Sequence, residues 1–302
     1  MNQTKQFCMV CGSKQVKRKY HMPIKNIPKD QEFVYRASTD VFGSYGTIVE
    51  CTNCGLVFID PLPDDDTLTA SYASTSDPEY TSEGSSRSIN AHLCLSTIKT
   101  FKQKGKLLDI GCSTGFFLNA ARVDFDAEGV ELSQWAAAYA QNKFRLTVHQ
   151  GNIFSIRYPD QTFDVITLID VIEHLSHPTI ILDEINRILK DDGILYMVTP
   201  NIRSLSARVL GKRWWGLRPA HLIYFSPITL GHALKKSHFA VQYCKSYGRI
   251  FTYQYWLSRI KNYNRFVYAV VEFVISKLKI GPKFLYINTR DSMEIIAVKQ
   301  HR

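Results

Sequence analysis

No run of about eighteen apolar residues occurs in the 302-residue chain, so no membrane-spanning helix is expected. The opening MNQTKQFCMVCGSK lacks the apolar core of a secretory signal, which leads us to expect a cytoplasmic protein. Internal repeats and low-complexity tracts are also missing. With 45% hydrophobic and 21% charged residues, the composition excludes a disordered, collagen-like or disulfide-framework protein. The length suits about two domains. Acidic residues are scarce at one end only. Residues 201–302 carry 3 Asp and Glu against 18 Lys and Arg, whereas residues 106–200 carry 13 against 7. The whole-chain excess of +10 therefore belongs to the last third. An anionic partner (nucleic acid, acidic substrate or membrane surface) is to be sought there.

The seven cysteines are unevenly spread too. Four form two knuckles, Cys8-x-x-Cys11-Gly12 and Cys51-x-x-Cys54-Gly55, separated by 39 residues. Two cysteines with two residues between them reach one ion from a tight turn, and the following glycine permits the positive φ of that turn. Cys8, Cys11, Cys51 and Cys54 are therefore expected to hold a structural Zn2+ in a small ribbon spanning residues 1–60. Four thiolates leave no open coordination position, so catalysis at this ion is not expected. Cys94, Cys112 and Cys244 read as packing residues. Residues 61–88, rich in Asp, Ser, Thr and Pro, read as a linker to a domain over 89–302.

That domain alternates strand and helix patterns. Strands are expected at Lys106–Cys112, Ala127–Leu132, Leu146–His149, Phe163–Ile169 and Gly193–Val198, with Val241–Ser246 and Met293–Val298 closing the sheet. Helices are expected over Ile89–Phe101, Gln134–Phe144 and from Pro178 to Lys190. The fold class is α/β: a Rossmann-like, doubly wound, mostly parallel seven-stranded sheet with an antiparallel last strand, plus the zinc ribbon. Leu107-Leu108-Asp109-Ile110-Gly111-Cys112-Ser113-Thr114-Gly115 runs from a strand through a glycine turn into a helix. Backbone amides at such a turn can hold a polar ligand group. Ser113 breaks the dinucleotide fingerprint, which argues against a dehydrogenase. Glu131, 22 residues after Asp109, is placed to accept the hydroxyls of a ribose.

Several further motifs follow: Gly129-Val130-Glu131, Gly151-Asn152, Phe163-Asp164-Val165, Asp170-Val-Ile-Glu173-His174 and Leu189-Lys-x-x-Gly193. With Asp109-x-Gly111-x-x-x-Gly115, this set resembles the class I S-adenosylmethionine-dependent methyltransferases from about residue 89 to 300. The resemblance implies S-adenosyl-L-methionine as cofactor, with Gly111 and Gly115 bordering its methionine part and Glu131 on the ribose. Asn152 with Ile153 would lie beside the adenine, where the family more often has Asp. Asp109, Cys112 and Asp170 complete the implied cofactor-binding set. Cys51-x-x-Cys54-Gly55…Pro61-x-Pro63 and Trp214-Trp215-x-x-Arg218-Pro219-Ala220-His221-Leu222-x-Tyr224-Phe225-Ser226 resemble bacterial methyltransferases with an amino-terminal zinc module. Such proteins decorate sugars, surface glycans or small metabolites, so a saccharide, lipid-linked or small-molecule acceptor is implied, methylated at a hydroxyl.

Methyl transfer from a sulfonium is an in-line displacement that needs positioning and, for a hydroxyl, a base. Ligands in open α/β sheets sit beyond the carboxyl ends of strands, which brings forward Asp170, Glu173 and His174, then His221 with Tyr224. His221 is the first choice of base, with His174 and Glu173 as further catalytic candidates; packing histidines and a sheet-end carboxylate are the alternatives. Asp-x-x-Glu-His also resembles a divalent-metal motif of ubiquinone-pathway O-methyltransferases, which would put Mg2+ on Asp170, Glu173 and His174.

Residues 249–283 form an insertion before the last strand. Arg265, Glu272, Ser276 and Lys279 trace a narrow polar stripe on an otherwise apolar helix. It reads as a buried lid or dimer helix, or as an interfacial helix whose Arg259, Lys261, Lys277, Lys279 and Lys283 face anionic lipid, which would make the protein peripheral on a membrane. An RNA methyltransferase gripping phosphates with its basic end is an alternative, weakened because the Asn/Asp-Pro-Pro-Tyr/Phe pattern of base N-methylation is missing after strand four. A zinc-ribbon binding module on a degenerate methyltransferase fold is a third reading, opposed by the retained Gly111, Gly115 and Glu131.

Overall fold

Leu107 and Leu108 are adjacent in sequence, fully buried, and belong to different apolar clusters. Successive side chains of a strand point to opposite faces, so this strand is covered on both sides, as a parallel sheet requires. The computed structural model describes residues 7–22, 35–36, 38, 46–261 and 263–300. Among them the strands run β1 Val16–Met22, β2 Gly46–Cys51, β3 Val57–Ile59, β4 Lys106–Ile110, β5 Asp126–Glu131, β6 Thr147–Gln150 and β7 Phe163–Ile169. They continue with β8 Leu189–Pro200, β9 Ile223–Tyr224, β10 Phe239–Ser246, β11 Arg249–Thr252, β12 Phe284–Ile287 and β13 Ser292–Lys299.

Seven of these strands form the main sheet, in the order β10-β13-β8-β7-β4-β5-β6. The β4–β5, β4–β7, β5–β6 and β7–β8 pairs are parallel. The last strand, β13, is antiparallel to both β8 and β10. This is the architecture expected from the sequence. One face packs Leu107, Val165 and Ile296 against Ile98 of the helix Gly84–Lys99; the other packs Leu108 and Ile166 against Leu182 and Ile185 of the helix Pro178–Ile188. Each fully buried Leu or Ile of this kind contributes about 1.5–3 kcal/mol relative to exposure.

A second sheet, β1-β2-β3-β9, joins the cysteine knuckles to the main body. Its fourth strand is drawn from far downstream: Val57 pairs with Tyr224 and Phe58 with Ile223. Cys8, Val10, Leu56 and Phe58 share one apolar cluster with Leu230 and Phe239, and Lys236 Nζ donates to the Val10 carbonyl at 3.0 Å. The ribbon segment thus packs into the main body. Residues 1–6, 23–34, 37 and 39–45 of the expected 1–60 module lie outside the described residues.

Two segments differ from expectation. The stretch read as a linker, 61–88, carries helices Asp65–Ser74 and Pro78–Ser82 and the first turn of Gly84–Lys99. Asp64 caps the first by accepting from Thr67 N at 2.8 Å; Asp77 and Pro78 open the second. The insertion is two helices, Tyr253–Ile260 and Arg265–Lys277, bracketed by the antiparallel pair β11–β12. Lys279 falls beyond the second helix at φ 54°. Cys244, expected to pack, is exposed on β10.

Candidate functional site

The carboxyl ends of β4, β5, β7 and β8 open onto one cavity of about 1020 Å3. Asp109, Gly111, Cys112, Gly115, Glu131, Asn152, Ile153, Asp170, Glu173, His174 and His221 all line it. The volume is at the upper end of ligand pockets, roughly 300–1,000 Å3, so two reactants can share it.

At the end of β4 the chain turns at Gly111 (φ 71°), where a side chain would come within 2.7 Å of Val171. Gly115 (φ 80°) begins the helix Phe116–Ala121 with Leu146 and Ala140 pressed as closely against it. Both positions need glycine, in conformation and in space. Glu131, ending β5, accepts Ser113 N on one carboxylate oxygen and Ser133 N on the other, each at 2.8 Å. Those amides fix the carboxylate plane, and each oxygen keeps acceptor capacity for a ligand hydroxyl. Burial raises its pKa. Asp109 accepts the Thr167 hydroxyl at 2.6 Å, and burial pushes its carboxyl up to about 7. Asn152 caps the helix Ile153–Ile156 by accepting Ser155 N at 2.9 Å, so its carbonyl is engaged and its amide N–H2 is its donor end.

The other half of the cavity is built on the segment after β7 and the loop before β9. His174 Nδ1 lies 2.8 Å from the Ala220 carbonyl, and His221 Nδ1 lies 2.9 Å from the Gly216 carbonyl. A carbonyl only accepts, so both rings carry their proton on Nδ1 and leave Nε2 as a lone pair. The rings meet edge to face, 4.8 Å apart. Burial lowers the His174 pKa to about 4, and burial, then the neighbouring His174 and Arg218, hold that of His221 well below the ordinary histidine value. Both imidazoles are therefore neutral near pH 7. Glu173 is buried and accepts the Thr199 hydroxyl at 2.9 Å; burial, then the Asp170 charge, raises its pKa. Tyr224 is buried below this wall, its hydroxyl donating to the Arg218 carbonyl.

Several lining residues were not foreseen. Tyr72 Oη lies 2.8 Å from His174 Nδ1, and Ser133 Oγ donates to the Thr75 carbonyl at 2.7 Å, so the supposed linker roofs both halves. Arg249 Nη2 bonds both Asp170 oxygens, at 2.6 and 2.8 Å. That pairing removes Asp170 from the expected Mg2+ set. The donors gathered within 4.8 Å of one another are instead Glu173, His174 and His221. Two imidazoles and one carboxylate do not suit Mg2+, which demands oxygen ligands. Arg259, expected among the lipid-facing cations, lines the cavity, its guanidinium 4.4 Å from the Tyr255 ring.

Remote from this cavity, four thiols converge. Cys8 and Cys54 Sγ are 3.5 Å apart, Cys11 and Cys51 Sγ 3.6 Å, and all four lie within 4.8 Å of one another. A tetrahedral ion with metal–sulfur bonds near 2.3 Å has sulfur–sulfur edges of about 3.8 Å, so the donor set fits zinc. Gly12 N and Gly55 N bond back to the Cys8 and Cys51 carbonyls at 2.7 and 2.9 Å, closing both knuckles.

This sheet order, with its glycine turn and acidic β5 end, is that of a methyltransferase. Residues 86–243, more than half of the chain, match the family model described as methyltransferase domain, and the chain belongs to that family. Among curated relatives, a Mycobacterium tuberculosis protein named as a probable S-adenosylmethionine-dependent methyltransferase is 31% identical over 97 residues, 32% of this chain and 35% of its own. The ubiquinone biosynthesis O-methyltransferase of Methylococcus capsulatus is 32% identical over 112 residues, 35% of this chain and 47% of its own. The chain thus spans less than half the length of these relatives. Among solved structures, a chain of the complex between the Haloferax volcanii Trm112 methyltransferase activator and a methyltransferase superposes with TM-score 0.53, at 15% identity over 78% of this chain and 96% of that one. A SAM-dependent methyltransferase from Thermotoga maritima gives TM-score 0.50, at 19% identity over 74% and 93%. These two likenesses show the fold.

Proposed function

We propose that the protein is an S-adenosylmethionine-dependent methyltransferase acting on a hydroxyl of a saccharide, glycolipid-like or small-metabolite acceptor, with a structural zinc at the four cysteines. The carrying observation is that a single cavity joins the Gly111–Gly115 turn and Glu131 to two histidines whose Nδ1 protons are held by carbonyls. When bound, the cofactor supplies an electrophilic methyl group on sulfur. Glu131 would accept the ribose hydroxyls, the Gly111–Gly115 turn would border the methionine part, and Asn152 with Ile153 would border the adenine. His221 Nε2 would take the acceptor's proton, with His174 edge to face against it and Glu173 close by. Positioning supplies most of the acceleration, and the base about 10²–10⁴-fold. Transfer of labelled methyl groups to lipid, nucleotide-sugar and RNA fractions tests the reading. Label in a lipid or sugar fraction is expected; label confined to RNA would overturn it.

Glu131→Gln turns an N–H2 toward a Ser113 or Ser133 amide that now faces a carboxylate oxygen. Hydrogen bonds to a charged group are worth about 1.5–3 kcal/mol, so calorimetry should show cofactor affinity falling about 10- to 100-fold. An unchanged affinity would move the ribose site elsewhere.

A further inference from the structure

The helix Arg265–Lys277 is turned the wrong way for a helix in water. Its buried or half-buried positions are Tyr268, Val271, Glu272 and Ile275, spaced three or four residues apart along one side or adjacent on it. The side it presents to solvent is apolar: Phe266 is 78% exposed, Val270 49% and Phe273 67%, with Leu278 60% exposed at its cap. Glu272, the one acidic residue between 201 and 290, accepts the Tyr268 hydroxyl on the inward side. There is a second exposed apolar set. Leu205 is 70% and Val209 75% exposed on the helix Leu205–Leu210, and the Tyr263 hydroxyl, just before the longer helix, donates to the Arg213 carbonyl, just after the shorter one, at 3.1 Å. Large exposed apolar side chains clustered on one helix face mark an interaction site.

We infer that this face docks the enzyme on an anionic lipid bilayer. The argument for lipid over a second copy of the chain is charge. Exposed Lys261, Arg265, Lys277 and Lys279 flank the apolar side chains, as do Arg208 and Arg213 beside the shorter helix. A two-fold contact through one such face would set like charges against like, whereas acidic headgroups complement them. Neither helix is long and apolar enough to cross the membrane, so the contact is in the interface plane. Leu210, Ile260 and Tyr263 line the cavity and adjoin this face. Given the methyltransferase reading, on which this last step rests, the acceptor is then a lipid-anchored molecule reached from the bilayer surface.

The full chain should be cosedimented with vesicles of equimolar phosphatidylcholine and phosphatidylglycerol, and with phosphatidylcholine alone. Binding to the anionic vesicles at low salt, weakening with added salt, is expected. Phe266→Glu with Phe273→Glu should reduce partitioning at least about tenfold, and Lys261→Gln and Arg265→Gln about fivefold each. Unchanged melting temperatures and cofactor binding would certify the fold of each variant. No cosedimentation of the wild-type chain at low salt overturns the proposal. So does a wild-type dimer that the double glutamate variant converts to monomer without altering vesicle binding. Cofactor binding, measured calorimetrically on the same samples, fails or holds independently, which separates loss of the docking face from loss of the methyltransferase reading.

Discussion

His221→Asn is expected to lower kcat by about 10²–10⁴-fold while leaving cofactor affinity close to wild type. The choice of asparagine matters. Its amide N–H2 stands where Nδ1 stands in histidine, so it can keep the bond to the Gly216 carbonyl that now measures 2.9 Å. What it removes is Nε2, the lone pair proposed as the base. A histidine that only packs the wall would tolerate the change, and near-normal turnover by a folded His221→Asn protein would remove it as the base. His174→Asn keeps the Ala220 bond by the same logic and separates the two rings' roles.

The pH dependence follows from the same burial. A histidine whose folded pKa is depressed contributes stability that is fully present above its unfolded value and is lost as pH falls toward the folded one. For His174 that window runs from 6.5 down to about 4. The neutral base is thus retained below the ordinary histidine pKa, so kcat/KM should stay level through about pH 6.5 and fall only at lower pH. An acid limb centred near that ordinary value would point to an exposed, unperturbed imidazole.

The main sheet was legible because its strands are apolar runs punctuated by glycine turns, and both signals are local. The residues proposed for the cofactor inherit that legibility in their placement: Asp109, Gly111 and Glu131 sit at strand ends and Gly115 at the following helix start, so their places in the sequence fix their places in space. The acceptor side was less so. Asp64 with Thr67, and Asp77 with Pro78, are helix-start signals that the polar composition of 61–88 concealed. The Arg249–Asp170 pair spans 79 residues and arises only when β11 folds back over the β7 end. The insertion shows a further limit. The period of its polar stripe is readable, but periodicity does not say which side faces inward. Here only Glu272 of that stripe is half-buried, Arg265 and Ser276 stay exposed, and Phe266 and Phe273 turn out.

Cys51→Ser is expected to lower the melting temperature by on the order of 10 °C and to cost turnover more than cofactor binding. Zinc binding in such sites is folding free energy, so losing one of four thiolates removes much of what holds the two knuckles together. The split between the two readouts comes from where the cysteine sheet is anchored. Cys51 ends β2, β2 pairs with β3, and β3 pairs with Ile223 and Tyr224, two and three residues beyond His221. Leu222 N in turn bonds the Glu173 carbonyl at 2.8 Å. The path from the four thiols therefore runs into the wall that carries the two histidines, whereas Glu131 and the Gly111–Gly115 turn hang on β4 and β5, which take no part in that sheet. Chelation of the wild-type chain should reproduce both effects, with zinc measured at about one ion per chain before treatment. A protein that purifies without zinc at full activity would break the link between the thiol cluster and the histidines, and the four cysteines would then have to be explained by packing alone.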